Sequence, residues 1–363
     1  MTKADPKPEE VFHKVAREEG FWGRYDVSQA EHGLRELLTD IRTEMNRAFG
    51  LQRLSVLTNG RHPDLYFDII EADEGDINAM AFVENGWAMV GVTQGLFTSI
   101  HSLLAAACQE KSFVQSFGVN PYSPSSSDLF VLLYLTTFNF VSNHELGHLV
   151  HGHCGSIGKA RSVRREFAKQ AKGSHLHIQA GEVEADGYGT HLTLQTLLLG
   201  PAREHAAKHI NAPVDHPGLD QALLKVFLAA VICFFHKLHE PFDAALVDER
   251  SHPVELSRLN TVILDMQGWC KEHLPDLVSW PTEEQFSDLE GLIRHSLRNG
   301  GITDTWDIQN SFLKSGPGHE YTKRLYEHRE ILREQMLTSK WEILMSDQSR
   351  YDSSNGALDL PSA

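Results

Sequence analysis

The chain has 363 residues, of which 41% are hydrophobic and 23% charged, a composition typical of globular proteins. With 49 acidic against 33 basic residues, the formal net charge is -16, which argues against nucleic acid as a partner. The four cysteines form no CxxC pair, so no disulfide framework is predicted. Together with a charged N-terminus that lacks a secretion-signal pattern, they predict a cytoplasmic protein.

The first part of the chain predicts helices followed by a small sheet. Residues 8–50 show apolar positions three and four apart, the spacing of one helix face. Four strand-like runs follow, broken by Gly, Asn and Asp: LSVLTNG, DLYFDIIEA, INAMAFVE and WAMVGVTQG. After Gly95 the pattern returns to helical spacing in most of the remaining chain. The sequence therefore predicts an α+β fold that is mostly helical.

Two helices in the middle of the chain carry most of the polar groups of interest. Ser125 and Asp128 have the spacing of a capping box, which predicts a helix that opens at about Asp128 and runs for about 25 residues. A second helix is predicted from about Ile178 to Leu199, and an apolar third helix over 219–239.

Two apolar runs, Leu129–Val141 and Val226–Phe235, resemble short membrane spans. Both are shorter than the roughly 20 residues needed to cross a bilayer. We therefore expect both to be core helices, and we predict no membrane insertion.

The stretch NHELGHLVHGHC, residues 143–154, contains the clearest chemical motif of the chain. Residues four apart lie on one helix face, so His144 and His148 can direct two imidazoles at one metal ion. Glu145, one position further round, can reach a water molecule on that ion. This is the HExxH arrangement of metal-dependent hydrolases, and zinc is the ion that such imidazole and carboxylate ligands favour. The sequence therefore predicts one Zn²⁺ per chain.

The sequence offers two sources for a third ligand. An HExxHxxGxxH motif would need glycine at His151 and histidine at Cys154, so it would require Cys154 or His153 as a substitute ligand. The other source is the following helix, in which Glu182 would bind the ion while Asp186, one turn later, accepts the N–H of a ligand imidazole.

The residues around Glu182 and Asp186 help to decide between these two sources of a third ligand. Gly187 and Gly189 would allow the two helices to approach closely. An ExxAD string within about fifty residues of an HExxH motif rarely arises by chance, which favours the ligand role. The alternative is that Glu182, Glu184 and Asp186 form an exposed acidic helix start, stabilised by the helix dipole.

With these motifs the chain resembles the gluzincin metallopeptidases of the HtpX and CAAX-prenyl-protease type. HELGH and EVEAD match the family's HExxH and ExxAD elements. Residues 77–97 resemble its substrate-side edge strand, the adjoining strand and a helix start. SHPVELSRL, residues 251–259, resembles an HP-x4-R element near the end of the catalytic domain. A weaker resemblance, confined to the HExxH neighbourhood, is to cytoplasmic phage-exclusion proteases of the Lit type.

The gluzincin resemblance implies further site residues. His252, with Arg258, would stabilise the negative charge that develops on the carbonyl oxygen of the substrate. Asn78, Ala79 and Ala81 would lie on an edge strand that pairs with an extended peptide. An ordinary loop histidine is the alternative for His252, because His-Pro occurs elsewhere in the chain.

The resemblance also implies a zincin-like fold, in which a small sheet packs on the HExxH helix. We expect an N-terminal helical segment (1–50), a gluzincin-like catalytic domain (51–281), a C-terminal helical extension (282–348) and a disordered tail (349–363).

The expected function is that of a soluble zinc-dependent endopeptidase that hydrolyses peptide bonds of a protein substrate. His144, His148 and Glu182 would bind zinc, and Asp186 would orient a ligand histidine. Glu145 would take a proton from the zinc-bound water and deliver it to the leaving amine. The alternative is a non-catalytic regulatory or binding protein stabilised by zinc, which has no use for Glu145 as a base.

The segment KARSVRREFAKQAKG, residues 159–173, is basic in an otherwise acidic chain. The simplest interpretation is a solvated helix face. The other is a local patch that steers an acidic partner, because the segment directly follows the histidine-rich stretch.

Overall fold

The structure is a computed structural model, and it describes residues 6–50, 52–55, 62–152, 175–200, 202–238, 242–299, 306–339 and 343–345. Within these ranges helices predominate and a small mixed sheet packs among them, which confirms the predicted α+β, mostly helical fold. The predicted tail at 349–363 and the basic segment at 159–173 lie outside the described residues.

The helices are numbered in chain order. They are α1 (Pro8–Glu18), α2 (His32–Phe49), α3 (Gln94–Ala107), α4 (Lys111–Gln115), α5 (Ser126–Val150), α6 (Leu176–Leu194), α7 (Ala202–Ile210), α8 (Leu219–Lys237), α9 (Glu255–His273), α10 (Glu283–Asn299), α11 (Trp306–Leu313) and α12 (Gly316–Ser339). A π-helical turn, Gln195–Leu199, continues α6. The predicted helices around the two motifs are therefore confirmed as α5 and α6.

Within the described residues the sheet has six strands. They are β1 (Gly23–Arg24), β2 (Gln52–Leu54), β3 (Asp64–Glu71), β4 (Ala79–Glu84), β5 (Trp87–Thr93) and β6 (Ile343–Met345). Their order is β4-β5-β3-β2-β6, and β1 pairs with the end of β3. The β3–β5 pair is parallel and the other pairs are antiparallel. Three of the predicted strand runs are confirmed as β3, β4 and β5, whereas LSVLTNG overlaps β2 at Leu54 and its residues 56–60 lie outside the described residues.

Strand β4 forms one edge of the sheet, because in the described ranges it pairs only with β5. A hydrogen bond from the Thr93 N–H to the Asn78 carbonyl oxygen fixes which backbone groups face β5. Alternate residues of an antiparallel strand bond to the partner, so the backbone groups of Ala79 and Ala81 point to the open side. The Ala79 N–H is held by the Asn78 side chain at 3.0 Å. The Ala79 carbonyl and both backbone groups of Ala81 therefore form a free edge.

The side chains of β4 alternate between two cores. Met80 and Phe82 are buried with Phe12 of α1 in one of them. Ala81 is buried on the opposite face, in the larger core that includes residues of α3, α5 and α8. Ala79 packs against that larger core too, and because both alanines are small, β4 lies directly against α5.

Segments from both ends of the described chain join this central structure. The prediction of helices alone over residues 8–50 is wrong at Gly23–Arg24, which form β1. That strand exists because it pairs with Ile70 and Glu71 of β3, a contact that no local pattern reveals. From the C-terminal side, β6 pairs with β2 and α12 packs on α6.

Helix α5 begins as the capping-box pattern predicts. The Ser125 hydroxyl accepts a hydrogen bond of 3.1 Å from the Asp128 N–H, and the helix then runs for 25 residues. Its last turns carry His144, Glu145 and His148. Most of the helix is buried, because the sheet, α6 and α8 pack around it.

Helices α5 and α6 cross at very short distance. A Cβ atom placed on Gly189 would lie 3.1 Å from the backbone N of His144, and one on Gly147 would lie 3.1 Å from Cα of Ala185. Gly189 therefore allows the close approach predicted from the sequence, and Gly147 of α5 contributes to it as well. Gly187 does not, because it faces a carboxylate of α9.

The apolar helix α8 runs through the larger core. In the described part of the chain it is the one helix long and apolar enough to cross a membrane by length and composition, and 83% of its apolar window is buried. Three phenylalanine rings of α8 pack around Phe140 of α5. The predicted core positions of Leu129–Val141 and Val226–Phe235 are therefore confirmed.

Candidate metal centre

Three side chains from two helices converge on a cavity of about 350 Å³. His144 and His148, one turn apart on α5, place their Nε2 atoms 3.2 Å from each other. Glu182 of α6 places one carboxylate oxygen 3.5 Å from Nε2 of His144 and the other 3.6 Å from Nε2 of His148. All three side chains are buried. The structure thus brings the two histidines of the HExxH motif together with the glutamate of the ExxAD string.

The spacing of these donor atoms fits a metal ion bound in tetrahedral geometry. With metal–ligand distances of roughly 2.1 Å, neighbouring ligand atoms of a tetrahedron lie about 3.4 Å apart. Here the two Nε2 atoms lie 3.2 Å apart, and each has a different oxygen of Glu182 as its neighbour, at 3.5 Å from His144 and 3.6 Å from His148. Two imidazoles and one carboxylate, with a fourth position left for water, are also the donor set of hydrolytic zinc sites. The residues present therefore fit zinc.

Glu145 lines the same cavity from the next position of α5. Its carboxylate lies within 4.8 Å of the donor atoms of His144 and His148. Glu182 contacts both imidazoles through different oxygens, which favours Glu182 as the third ligand. With an ion bound there, Glu145 would be within reach of a water molecule on the ion, the position that a general base needs.

Asp186 connects His144 to a buried arginine. Its Oδ1 lies 2.9 Å from Nδ1 of His144, on the side of the ring opposite the Nε2 atom that faces His148 and Glu182. The guanidinium of Arg258 donates two hydrogen bonds of 2.7 Å to the same carboxylate. Because these two guanidinium N–H groups are bound to Asp186, Arg258 can influence the candidate metal centre through Asp186. Its Nη2 also lies 3.7 Å from Glu182.

The two histidines differ in their electrostatic environment. Burial disfavours the charged form of His144, but Asp186 and Glu182 outweigh burial and raise the pKa of this imidazole to about 10. Burial, reinforced by the nearby charge of His144, lowers the pKa of His148 to about 3. Burial also opposes ionisation of Glu182, but His252 and the other cations hold the pKa of this carboxyl well below its usual range. Glu182 is therefore ionised at neutral pH, which favours a cation at this position.

His252 lines the cavity from the loop that precedes α9. Its Nε2 lies 3.7 Å from the Glu182 carboxylate, and 25% of its side chain is exposed. On the other side of the ring, Nδ1 lies 3.1 Å from the Ser251 hydroxyl. The ring is thus held beside the metal centre and can still meet a molecule in the cavity.

The free edge of β4 borders the same cavity. Asn78, Ala79 and Ala81 line it together with Met80 and the candidate metal ligands. The residues that the resemblance assigns to substrate binding therefore lie beside the candidate metal centre, although they come from a part of the chain well before the HExxH motif.

The remaining groups of the histidine-rich stretch either lie apart from this centre or fall outside the described residues. His151 ends α5, and its ring packs against Tyr188 with 5.5 Å between the ring centroids. His153 and Cys154, the alternative third ligands, lie outside the described residues.

The acidic residues of α6 are all buried, so the alternative of an exposed acidic helix start is wrong. Glu184 points away from the metal centre and pairs with Arg329 of α12. The same guanidinium contacts Asp265 of α9 at 3.2 Å, and Arg333 of α12 lies 2.8 Å from Glu184. This cluster ties α6, which carries Glu182, to the C-terminal part of the described chain.

For some cavity residues the sequence gives no indication of a place in the site. They are Glu19 and Phe21 from the segment after α1, Leu96 of α3, and Phe234 and Leu238 at the end of α8. Leu96 belongs to the run 77–97 that resembles a strand pair and a helix start, whereas the other four belong to no motif, and the tertiary fold brings all five to the candidate metal centre. The apolar periodicity indicates burial for Leu96 and Phe234, but it cannot distinguish a core position from a cavity wall.

Comparisons of the chain with known protein families, with curated proteins and with solved structures find no match. The motifs and the geometry of this site are therefore what indicates the class of the protein. The site is a buried His-Glu-His group on one helix, approached by a glutamate of the next helix, in an α+β fold.

We expect Gly189→Ala to weaken zinc binding about tenfold and to destabilise the fold by about 1–3 kcal/mol. The added methyl group would lie 3.1 Å from the backbone N of His144, so α6 must move away from α5 and carry Glu182 with it. Competition with a chromogenic chelator measures the affinity, and thermal unfolding measures the stability.

The matched control is Gly291→Ala in α10, where an added Cβ meets nothing within 4 Å. It should leave zinc binding unchanged and stabilise the fold by about 0.5–1 kcal/mol, because alanine is the better helix former. Equal zinc affinities in both variants would contradict the role assigned to the helix crossing.

Proposed function

We propose that this protein is a zinc-dependent endopeptidase with a zincin-like fold. The observation that carries the proposal is that the metal-binding side chains, Glu145 and a free strand edge open into one cavity. A purely structural zinc site is closed by four protein ligands and needs neither a carboxylate base nor a strand edge. These two features favour a hydrolase over a zinc-stabilised regulatory or binding protein.

Each side chain has a separate role in the proposed reaction. His144, His148 and Glu182 would hold zinc, which supplies Lewis acidity that polarises a peptide carbonyl and lowers the pKa of water. Glu145 accepts a proton from the attacking water and passes it to the leaving amine. His252 donates a hydrogen bond to the carbonyl oxygen as negative charge develops there.

Asp186 and Arg258 are positioning residues in this proposal. Asp186 holds the His144 ring, and Arg258 holds Asp186 through two hydrogen bonds. The Arg258 guanidinium also lies over the Phe235 ring at 4.8 Å, so one of its faces and two of its donors are engaged by the protein. Its effect on catalysis is therefore transmitted through the orientation of His144.

The proposed substrate is a segment of another protein in extended conformation. The free backbone groups of Ala79 and Ala81 can pair with such a segment as an added strand beside the metal centre. The formal charge of -16 favours a protein over a nucleic acid as the partner. We further propose that the protein acts in the cytoplasm, without insertion into a membrane.

We expect Ala81→Pro to lower kcat/KM for peptide cleavage about tenfold or more by raising KM. Proline removes the Ala81 N–H, which points to the cavity, and leaves the hydrogen bonds between β4 and β5 intact. Steady-state cleavage of a fluorogenic peptide measures the effect, with circular dichroism as the check on folding.

The control is Val83→Pro, which removes the next outward N–H of β4, at a position that does not line the cavity. A KM that rises equally in both variants would contradict pairing of the substrate beside Ala81, because it would point to a general weakening of the strand.

The proposed function is tested by profiling new protein N-termini in a cell extract treated with the purified protein. We expect the protein to bind one equivalent of zinc, and new termini to form with zinc-loaded protein, to vanish after chelation and to return when zinc is restored. Failure to bind zinc, or termini that persist after chelation, would contradict the proposal.

A further inference from the structure

We propose that the cleft selects a basic residue directly next to an apolar one, and that Glu19 and Phe21 form the subsite for the basic side chain. This inference rests on the proposed endopeptidase function and names the class of substrate. It concerns residues of the N-terminal segment that carry no motif and that reach the cleft only through the fold.

The cavity extends around the free edge of β4 to both faces of the sheet. On the face that packs against α5, its wall beyond the metal centre is apolar and consists of Leu96, Phe234 and Leu238. On the face covered by α1, it is lined by Glu19, Phe21 and Met80. The two walls therefore belong to the two different cores on either side of the sheet.

A segment paired with β4 would meet these two walls alternately. Successive side chains of a strand point to opposite faces of a sheet. One substrate side chain would therefore enter the apolar wall beside the metal centre, and its neighbour in sequence would enter the wall formed by the N-terminal segment. The two subsites thus bind the side chains of two adjacent substrate residues, whether the substrate strand runs parallel or antiparallel to β4.

The chemistry of the second wall matches a lysine or an arginine. Phe21 and Met80 present apolar surface that can cover the methylene stem of a long side chain, and Glu19 supplies the carboxylate for its charged end. An arginine can also stack on the Phe21 ring. Glu145 and Glu182 line the same cavity, but a bound Zn²⁺ would offset their charge, so the preference for a basic side chain depends on Glu19.

The chemistry of the first wall selects the neighbouring residue. Leu96, Phe234 and Leu238 offer no side-chain donor or acceptor, so a charged side chain placed there would lose its hydration without a partner. A leucine or phenylalanine gains free energy by the same burial. The expected substrate therefore contains an apolar residue followed or preceded directly by a basic one.

The subsite is tested by peptide binding, so the result does not depend on whether the protein cleaves peptides. Zinc-loaded Glu145→Gln protein is titrated with a fluorescein-labelled positional library of amidated octapeptides, and the measurement is repeated with the Glu145→Gln/Glu19→Gln double variant. We expect pools with Lys or Arg next to Leu or Phe to bind Glu145→Gln about fivefold more tightly than pools with Gln at that position. The double variant should lose this preference, and Glu19→Lys in place of Glu19→Gln should favour Glu.

Glu18→Gln is the matched control, because Glu18 is exposed, pairs with Lys14 at 3.5 Å and does not line the cavity. It should keep the preference for basic residues, as should the conservative change Glu19→Asp. Equal binding of basic, neutral and acidic pools to Glu145→Gln, or a basic preference that survives Glu19→Gln, would overturn the subsite. A basic preference in binding without any cleavage by the wild-type protein would support the subsite and overturn only the proposed catalysis.

Discussion

We expect Glu145→Gln to lower kcat/KM for peptide cleavage by about 10³-fold, while the zinc content and the stability of the protein stay unchanged. Glutamine has the shape of glutamate but cannot accept the proton of the attacking water. The metal-binding contacts between His144, His148 and Glu182 do not involve this side chain, so the ion should still bind. The loss should therefore fall on kcat much more than on KM.

The measurement pairs cleavage with metal analysis on the same samples. Cleavage of protein substrates is followed by N-terminal profiling of wild type and variant, and zinc is quantified by titration. Unchanged cleavage would contradict the role of Glu145 as the base. Loss of zinc together with cleavage would instead show Glu145 to be a ligand, since its carboxylate lies within 4.8 Å of both histidine donors.

We also expect a large effect of Glu182→Ala, in this case on the affinity of the protein for zinc. Removal of one of three protein ligands should weaken zinc binding by about 100-fold or more and abolish cleavage at low zinc. Partial recovery of cleavage at high zinc would agree with this assignment. Full occupancy at one equivalent would contradict it, and would move the third ligand to His153 or Cys154.

Glu184→Gln is the matched control on the same helix. Glu184 is as buried as Glu182 but pairs with Arg329, away from the cavity. Loss of its charge leaves Arg329 partly uncompensated and should destabilise the fold by about 3 kcal/mol, with little change in zinc affinity. The two variants together separate the loss of a ligand from the loss of a buried charge.

The sequence predicts those parts of the fold that depend on local chemistry. The start of α5 follows from Ser125 and Asp128, because a hydroxyl and an N–H three residues apart can satisfy each other without help from the rest of the chain. The relative position of His144 and His148 follows from the helix repeat in the same way. The strands β3, β4 and β5 are short, nearly continuous apolar runs, bounded in the sequence by Gly, Asn and Asp, so each can be recognised singly.

The remaining features depend on contacts between distant segments. The two-residue strand β1 exists only through its pairing with β3. Gly187 and Gly189 look equivalent in the sequence, yet one faces α9 and the other α5, because two positions on a helix differ by about 200°. Glu182 and Glu184 differ in the same way, which a run of acidic residues cannot reveal. Glu19 reaches the cavity only after α1 has packed on the sheet.

The pairing of Glu184 with Arg329 has a consequence for the order of events on the ribosome. Helices α5 and α6 are synthesised well before α12. The Glu184 carboxylate therefore has no contact with Arg329 until α12 has been made. A nascent chain that already contains HELGH and EVEAD therefore lacks the countercharge that lets α6 settle beside α9. We therefore expect the candidate metal centre to become fully ordered only after α12 has been synthesised.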